Sequence, residues 1–198
     1  MRTRSLSERV SETLERHPAV RRVVLTGSRA DGRATDRSDW DFLVQTDDFD
    51  AVARALPELV EPLGPLAQQW DRLSDTWCFM IMVPGPAKID LIFERPHPHD
   101  PPWRPDRKNL VDIDRHFWDW MLWLRSKEAK GADAFVATEL DKLFAHLLGP
   151  MGVPAVPNSI ADAVSAYREA RDQLERRFHA TVPRHLERAV LPVAFRYD

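Results

Sequence analysis

Asp39 and Asp41 are two carboxylates that flank a single tryptophan just before the apolar run of residues 42–44. Side chains on a β-strand alternate between its two faces, so both carboxylates are expected to point the same way, about 6 to 7 Å apart along the strand. Two carboxylates this close repel each other unless a positive charge lies between them. Mg²⁺ prefers oxygen ligands and commonly binds one or two carboxylates together with substrate phosphates. The pair therefore predicts a magnesium site, at which two ions would stabilise the attacking and the leaving oxygen of a phosphoryl transfer.

Asp90 is a third acidic residue in an unusual setting, because it interrupts the apolar run of residues 87–93. Burial of a carboxylate in such a run is costly unless the group is paired or bound to a metal ion. The position itself therefore indicates a functional role. The alternative is an edge strand that turns Asp90 toward solvent.

Gly27 and Ser28 follow the β-branched run of residues 20–25, where a strand would enter a tight loop. Glycine removes the side chain that would block close approach of the backbone, and serine adds a hydroxyl group to the backbone amides available to phosphate oxygens. These residues predict a binding turn for a triphosphate. No Gly-Lys-Ser or Gly-Lys-Thr follows, so the turn is not a P-loop. Arg29 is expected either to add positive charge at the phosphates or to lie on the surface.

The order of these residues along the chain is informative. It runs Gly27, Ser28, a spacer of residues 29–38, Asp39, Asp41, and then Asp90 in a later apolar run. This order resembles the DNA polymerase β-like nucleotidyltransferase superfamily, particularly its small bacterial members near the aminoglycoside nucleotidyltransferases. The resemblance covers residues 20–93 and extends to the rest of the chain only as a general kind of helical appendage. It implies a catalytic domain with a mixed β-sheet.

The resemblance also implies a reaction. An enzyme of this kind transfers a nucleoside monophosphate from a nucleoside triphosphate, with ATP as the expected donor, to an acceptor and releases pyrophosphate. The residues expected to take part are Asp39, Asp41 and Asp90 at two Mg²⁺ ions, and Gly27 and Ser28 at the triphosphate, with Arg29 beside them. Asp90 is the first candidate for the general base that activates an acceptor hydroxyl group, and Glu128 or Glu139 is the alternative.

Three hypotheses remain for the acceptor. The main one is a hydroxyl group of a small molecule, for example an aminoglycoside-like antibiotic, although the chain is shorter than typical aminoglycoside-modifying members. The second is a macromolecule, such as a tRNA or the partner protein of a toxin–antitoxin pair. The third is a nucleotide-binding module without catalytic activity, which the presence of all three aspartates disfavours. The oligomeric state is not predicted.

The composition limits the classes of partner. The 28 Lys and Arg residues nearly balance the 31 Asp and Glu residues, and a formal net charge of -3 provides no broad basic field, so extended nucleic-acid binding is not expected. Cys78 is the only cysteine, which excludes an intramolecular disulfide and a thiolate cluster. No window of the sequence approaches the ~20 apolar residues that span a bilayer. The protein is therefore expected in the cytoplasm and not at a membrane.

Apolar periodicity predicts an α+β fold whose first half contains a mixed β-sheet. Short apolar runs predict strands at residues 20–25, 41–45, 76–83 and 87–93. The last two runs are separated only by Pro-Gly-Pro, which indicates an antiparallel hairpin. Stripes at helical spacing predict helices at residues 6–14 and 49–60, the second with Pro57 near its end.

The second half of the chain is predicted to be a helical bundle. The segment 95–105 is rich in proline, which lacks an amide donor and disrupts regular structure, so this segment is predicted to be a linker. Beyond it, helical patterns occupy residues 109–130, 133–148 and 159–179. These patterns predict a catalytic domain at residues 1–95, a linker at residues 96–105 and a helical domain at residues 106–198.

Two further groups have alternatives to a simple structural role. The nearly apolar helix around Trp118, Trp120 and Trp123 is predicted to be buried, and the alternative is that one of these rings lines an acceptor pocket. His97 and His99 could bind zinc, but no further histidine or cysteine nearby completes a set of ligands. Metal binding by these histidines is not expected.

Overall fold

The structure, a computed structural model, describes residues 4–194. The chain divides into two compact units, whose boundary lies between His99 and Asp100. The first unit contains a β-sheet and short helices and the second is built from helices, so the predicted α+β fold class is confirmed. The outer ends of the two predicted domains, residues 1–3 and 195–198, lie outside the described residues. Within residues 4–194, every helix is too short or too polar to cross a bilayer.

A five-stranded mixed sheet organises the first unit. Its strands are β1 (Val20–Thr26), β2 (Trp40–Thr46), β3 (Ala67–Trp70), β4 (Thr76–Val83) and β5 (Ala87–Pro96). Their spatial order is β1-β2-β5-β4-β3. β2 and β5 run parallel, and the other neighbouring pairs are antiparallel. β5 is therefore the central strand.

The hairpin of β4 and β5 forms as predicted. Gly85 in its turn has a φ of 123°, a conformation that side-chain-bearing residues rarely adopt. β5 continues to Pro96, which is the register partner of Thr76. The first residues of the proline-rich segment are thus paired strand rather than irregular chain, and this is tolerated because the proline lies at the end of the strand.

Two of the helices of the first unit, the first and the third, pack on one face of the sheet. Among residues 4–99 the helices are α1 (Leu6–Leu14), α2 (Gly27–Ala30) and α3 (Phe49–Leu59), and a 3-10 turn follows at Glu61–Leu63. α1 begins with a capping box between Ser5 and Glu8, and α3 continues through Pro57. The core beside them contains alternate residues of the central strands: Phe42 and Val44 of β2, and Ile89, Leu91 and Phe93 of β5. The residues between these, among them Asp41 and Asp90, therefore point to the opposite face.

The second unit is helical, as predicted. Among residues 100–194 its helices are α4 (Leu110–Glu128), α5 (Asp133–Leu143), α6 (Ile160–Phe178) and α7 (His185–Ala194), and a π-helical stretch at Phe144–Leu148 continues α5. Phe117 and Trp118 of α4 are fully buried, and the Phe117 ring stacks on Tyr167 of α6 with 3.8 Å between the ring centres. The prediction that α4 is a buried core helix is confirmed.

β3 and α7 are two elements that the sequence patterns do not predict. β3 has 4 residues with Gln68 and Gln69 at its centre, so it shows no apolar alternation. It is stabilised by pairing with β4, which would otherwise be left with an open edge. α7 contains Pro192, which disfavours a helix by itself, but its buried residues Leu186 and Val190 pack in the helical unit and α7 contacts α4.

Candidate active site

Asp41 and Asp90 are register partners in the parallel pair of β2 and β5. Neighbouring strands lie about 4.8 Å apart, and partner residues of a sheet point to the same face. Both carboxylates therefore lie side by side on the face opposite to the core. The edge-strand alternative for Asp90 is wrong, because β5 is the central strand and the Asp90 side chain is only 14% exposed.

Asp39 lies one residue before β2, which begins at Trp40. The Arg29 side chain holds this stretch of backbone. Its Nε donates to the carbonyl oxygens of Ser38 and Asp39, each at 3.1 Å, and its Nη2 donates to Ser38 O at 2.6 Å. The guanidinium also stacks on the Trp40 ring, 3.9 Å from the ring centre. A planar group with several donors thus fixes the backbone of Asp39 to α2.

The Arg29 guanidinium lies in a mixed electrostatic setting. Burial lowers its pKa, and the negative charges of Asp39, Asp36 and Asp41 act in the opposite direction. Arginine remains protonated in proteins, so Arg29 contributes a positive charge near the carboxylates. Its hydrogen bonds go to the loop backbone. Arg29 therefore positions this loop, a role that differs from the two predicted alternatives of phosphate binding and a surface position.

Gly27 lies directly against the carboxylate of Asp41. Its φ of +66° is in the left-handed region, which glycine adopts without strain. A Cβ atom at this position would overlap Asp41 Oδ2 and would lie 3.1 Å from Asp41 Cγ. The missing side chain is thus what allows the turn and the carboxylate to approach each other.

The turn at Gly27 and Ser28 is tied to β2 through the residue that precedes it. Thr26 is the register partner of Asp41, and its Oγ1 donates a hydrogen bond to the Asp41 carbonyl oxygen at 3.2 Å. Thr26 makes no side-chain cap on α2. Gly27 is exposed and Ser28 is half-buried. The turn and one of the candidate carboxylates therefore share one end of the β1 and β2 pair.

Lys88 is a residue of this site that the sequence reasoning missed. It lies on β5, and its ammonium group forms an ion pair with Asp90. The Lys88 side chain is only 5% exposed. The signal was available, because two opposite charges two residues apart on an apolar strand must lie on the same face.

The surroundings of the Lys88 and Asp90 ion pair differ on its two sides. On β4, the buried residues Met82 and Met80 are the register partners of Lys88 and Asp90. On the other side, Asp41 is the neighbour of Asp90.

Among residues 4–194, no group of three or more His, Cys, Asp and Glu side chains is arranged to hold a metal ion. One of the three candidate carboxylates is instead engaged by a lysine.

The alternative bases in the helical unit also have cationic partners. Glu128 forms an ion pair with Arg125. Glu139 is buried, and its Oε1 lies 2.6 Å from Lys142 Nζ. Each carboxylate is thus held by a residue three positions away on or near the same helix turn, which is an ordinary stabilising arrangement for a helix.

The two histidines that follow β5 have separate partners. His97 is buried, its Nδ1 lies 3.3 Å from Ser74 O, and its ring packs edge-on against Trp77 at 4.3 Å. His99 is exposed, with Nε2 3.0 Å from Asp75 Oδ1. The first histidine therefore fixes the loop before β4 to the end of β5.

A cavity of about 510 Å³ lies near the carboxyl ends of β2 and β5. It is lined by Arg21, Val44, Gln45, Thr46, Asp47, Phe49, Phe93, Glu94 and Arg95. Its arginines form ion pairs, Arg21 with Asp47 and Arg95 with Asp50. None of the predicted site residues lines this cavity, so the candidate site is a separate place on the sheet.

Similarities to known proteins are distant at the level of the whole chain. No curated protein matches its sequence. A cytoplasmic RNA terminal U-transferase has 19% identity and a TM-score of 0.37, over 73% of this chain and 34% of that chain. An aminoglycoside 6-adenyltransferase from Bacillus subtilis has 12% identity and a TM-score of 0.33, over 97% of this chain and 98% of that chain. The polymerase core of TRAMP, an RNA surveillance complex, has 12% identity and a TM-score of 0.43, over 86% of this chain and 55% of that chain.

This chain spans about a third of the length of the first of these structures and about half of the third. Nothing about the acceptor of this protein follows from such distant likenesses. The sequence of the sheet-containing unit is more informative.

Residues 6–96 match the family model of the nucleotidyltransferase domain. The match extends over all five strands of the sheet and ends where β5 ends. It includes every residue of the predicted site: Gly27, Ser28, Arg29, Asp39, Asp41 and Asp90. The resemblance to polymerase β-like nucleotidyltransferases is thereby confirmed over residues 6–96, which are similar to the nucleotidyltransferase domain family.

Proposed function

We propose that this protein transfers a nucleoside monophosphate from a nucleoside triphosphate, with ATP as donor, to a hydroxyl group of a small molecule. One observation carries the proposal: Asp41 and Asp90 are register partners on one face of the sheet, and Gly27 lies against the Asp41 carboxylate. A triphosphate at the turn would have its phosphates beside both carboxylates. The match of residues 6–96 to the nucleotidyltransferase domain family supports the same chemistry.

Mg²⁺ is the cofactor that we propose, as two ions. The donor set fits, because three carboxylates offer the hard oxygen ligands that Mg²⁺ prefers. The site also accepts positive charge, since Lys88 already places a cationic group on Asp90. Asp39, Asp41 and Asp90 would hold the metal, which would neutralise charge that develops on the phosphates.

The residues of the chain would position the donor and take up a proton. Gly27 and Ser28 would offer backbone amides and a hydroxyl group to the phosphates. Arg29 keeps the backbone of Asp39 in place and adds positive charge nearby. In the reaction, the acceptor oxygen forms a bond to the α-phosphorus while the bond from the α-phosphorus to pyrophosphate breaks. Asp90 is our candidate for the base that takes the hydroxyl proton.

A small molecule is the acceptor class that the charge of the protein favours. The formal net charge of -3 gives no broad basic field to bind a polyanion. We propose an aminoglycoside-like antibiotic as the first acceptor to test. We further propose a catalytic domain at residues 1–95, a linker at residues 96–105 and a helical domain at residues 106–198, in a protein of the bacterial cytoplasm.

The test is nucleotide transfer by the full-length protein with Mg²⁺ and each common α-labelled nucleoside triphosphate. Acceptors are a panel of hydroxylated antibiotics and metabolites, total tRNA and a bacterial protein extract. The expected result is a labelled small molecule together with release of pyrophosphate. A labelled RNA or protein band would move the acceptor to the macromolecular class. Triphosphate binding without turnover on any acceptor would contradict the proposal and support a catalytically inactive module.

A further inference from the structure

The proposed reaction assigns no step to the Lys88 ammonium group, which forms an ion pair with Asp90. Both side chains lie on the face of β5 that carries the candidate site, and they are 5% and 14% exposed. A lysine so strongly buried is uncommon unless it is paired. Its ammonium group pairs with one of the three carboxylates proposed to hold metal, so the pair belongs to the candidate site and not to the general surface.

The neighbours of the pair make its charge matter. Met82 and Met80 lie beside Lys88 and Asp90 on β4, and both methionines are buried. Methionine side chains carry no charge and exclude water, which strengthens electrostatic interactions nearby. On the other side of Asp90 lies Asp41, whose carboxylate repels that of Asp90. The Lys88 ammonium therefore offsets a repulsion between two acids that the sheet register forces together.

We propose that Lys88 is an internal counter-cation that occupies Asp90 until a metal-bound triphosphate enters the site, and that its ammonium group then contacts the phosphate oxygens. This inference rests on the proposed function and deepens it. A divalent ion alone would have to compete with a like charge already at Asp90. A nucleotide brings the negative charge to which the lysine can turn.

The proposal makes Lys88 a positioning residue that sets the order of binding. Metal binding to the nucleotide-free protein should be weak and should depend mainly on Asp41. Metal binding together with nucleotide should be strong and should depend on Lys88 as well. Replacement of the lysine should therefore act in opposite directions in the two situations, which a residue with a merely structural role would not do.

The experiment measures Mn²⁺ binding to the full chain without nucleotide, by calorimetry or by the signal of free Mn²⁺ in electron paramagnetic resonance. Lys88→Met removes the charge and keeps the length of the side chain. We expect it to bind Mn²⁺ roughly tenfold more tightly than the wild type, because the Asp90 carboxylate is then released to the ion. Lys88→Arg keeps the charge and should bind Mn²⁺ as the wild type does.

Two controls make the effect specific to this pair. Lys142→Met removes another lysine that is paired with a buried carboxylate, that of Glu139, and it should leave Mn²⁺ affinity unchanged. Lys88→Met in an Asp90→Asn background should no longer tighten Mn²⁺ binding, because the carboxylate that the lysine occupies is gone. A tightening that persists in this background would overturn the proposal.

The second part of the experiment adds a non-hydrolysable ATP analogue. Lys88→Met should bind the analogue with Mn²⁺ roughly tenfold more weakly than the wild type, since the ammonium no longer contacts the phosphates. Equal or tighter analogue binding by Lys88→Met would overturn the second half of the proposal.

Unaltered Mn²⁺ affinity in folded Lys88→Met, without nucleotide, would overturn the first half of the proposal, that Lys88 occupies Asp90 until the nucleotide enters. If Lys88→Met does not fold, Asp90→Asn decides. The nucleotide-free affinity of Asp90→Asn should stay within about threefold of the wild type, while Asp41→Asn loses binding. Equal losses in both variants would overturn the proposal alone. The absence of any Mn²⁺ binding, with or without nucleotide, would overturn the proposed function and this proposal together.

Discussion

The backbone of Gly27 and the carboxylate of Asp41 are so close that a side chain at position 27 would occupy the place of Asp41 Oδ2. Gly27 belongs to the turn proposed to bind phosphates, and Asp41 belongs to the carboxylates proposed to bind metal. The contact therefore fixes the distance between the two halves of the proposed site. It also means that the smallest change at position 27 should be felt at the carboxylate.

Gly27→Ala is expected to reduce nucleotide transfer strongly, by roughly a hundredfold, because the new methyl group displaces the Asp41 carboxylate and misplaces a catalytic group. The left-handed backbone at this position adds a stability cost of about 1 to 2 kcal/mol. Turnover and the denaturant midpoint of the variant are the measurements.

Gly32→Ala is the matched control for this substitution. Gly32 has a φ of +68°, nearly the value at Gly27, but a Cβ there would meet nothing within 4 Å. Gly32→Ala should therefore show the loss of stability that comes from the left-handed backbone, and it should keep its turnover. Equal turnover in the two variants would mean that the contact with Asp41 has no catalytic importance.

Asp41→Asn is expected to abolish nucleotide transfer while the fold is retained. An amide cannot supply the negative charge that holds a divalent ion, and loss of several kcal/mol of transition-state stabilisation corresponds to about a thousandfold or more in turnover. Turnover at saturating Mg²⁺ and circular dichroism of the variant are the measurements.

Asp50→Asn is the control for the loss of one negative charge in the same unit. Asp50 is an exposed residue of α3 that pairs with Arg95 at 3.2 Å. It should keep the turnover of the wild type. Unchanged turnover in folded Asp41→Asn would remove the metal assignment altogether.

Arg29→Lys keeps the charge but loses the planar group that donates to Ser38 and Asp39 and stacks on Trp40. The loss of hydrogen bonds to a charged donor should lower the free energy of unfolding by about 1 to 3 kcal/mol. The released backbone of Asp39 should lower turnover by roughly tenfold to a hundredfold. Mn²⁺ affinity, turnover and denaturant unfolding are measured together.

The comparison variant for Arg29→Lys is Arg33→Lys, which changes an exposed arginine paired with Asp31 in the loop after α2. It should behave as the wild type in all three measurements. If Arg29→Lys loses turnover but keeps Mn²⁺ affinity, Arg29 does not act through Asp39.

Asp114→Ala should destabilise the helical unit. Asp114 is buried on α4, and its Oδ1 accepts hydrogen bonds from Tyr167 OH at 2.6 Å and Trp118 Nε1 at 3.0 Å. Without the carboxylate, two buried donors lose their partner, at a cost of about 1 to 3 kcal/mol each. Denaturant unfolding is the measurement. Tyr167→Phe should cost less, because Asp114 still accepts from Trp118.

Asp114 also predicts a pH dependence. Burial raises its pKa above the ordinary value of 3.8, against the lowering effect of the hydrogen bonds from Tyr167 and Trp118. Between 3.8 and that raised pKa, the folded state binds more protons than the unfolded state, so the free energy of unfolding falls as pH rises. Relative to Asp114→Asn, the wild type should become more stable as pH falls through this window. A pH-independent difference between the two proteins would contradict the raised pKa.

The strands that position the candidate site are predictable because their residues follow simple rules. Residues 87–93 of β5 are apolar on both faces apart from Lys88 and Asp90, as expected for a strand at the centre of a sheet. β3 is different, because its four residues have no apolar pattern and depend on pairing with β4. Pairing between distant segments is a tertiary effect that local propensity does not contain.

The site is predictable to a similar extent. The residue types and order indicate Asp41, Asp90 and Gly27, and the register then places the two acids side by side. The positioning role of Arg29 is not predictable, because hydrogen bonds to backbone carbonyls depend on the path of the loop before β2. Lys88 could have been recognised from its spacing to Asp90, since alternation alone places both on one face.

The central position of β5 bears on how the nascent chain matures. β4 and β5 can pair as soon as their tight turn closes, whereas the parallel pairing of β2 with β5 requires a long crossover that contains α3, β3 and β4. Closing so long a segment is slow compared with local hairpin formation. Asp41 and Asp90 meet only in that step, so the candidate site is incomplete until β2 and β5 have paired.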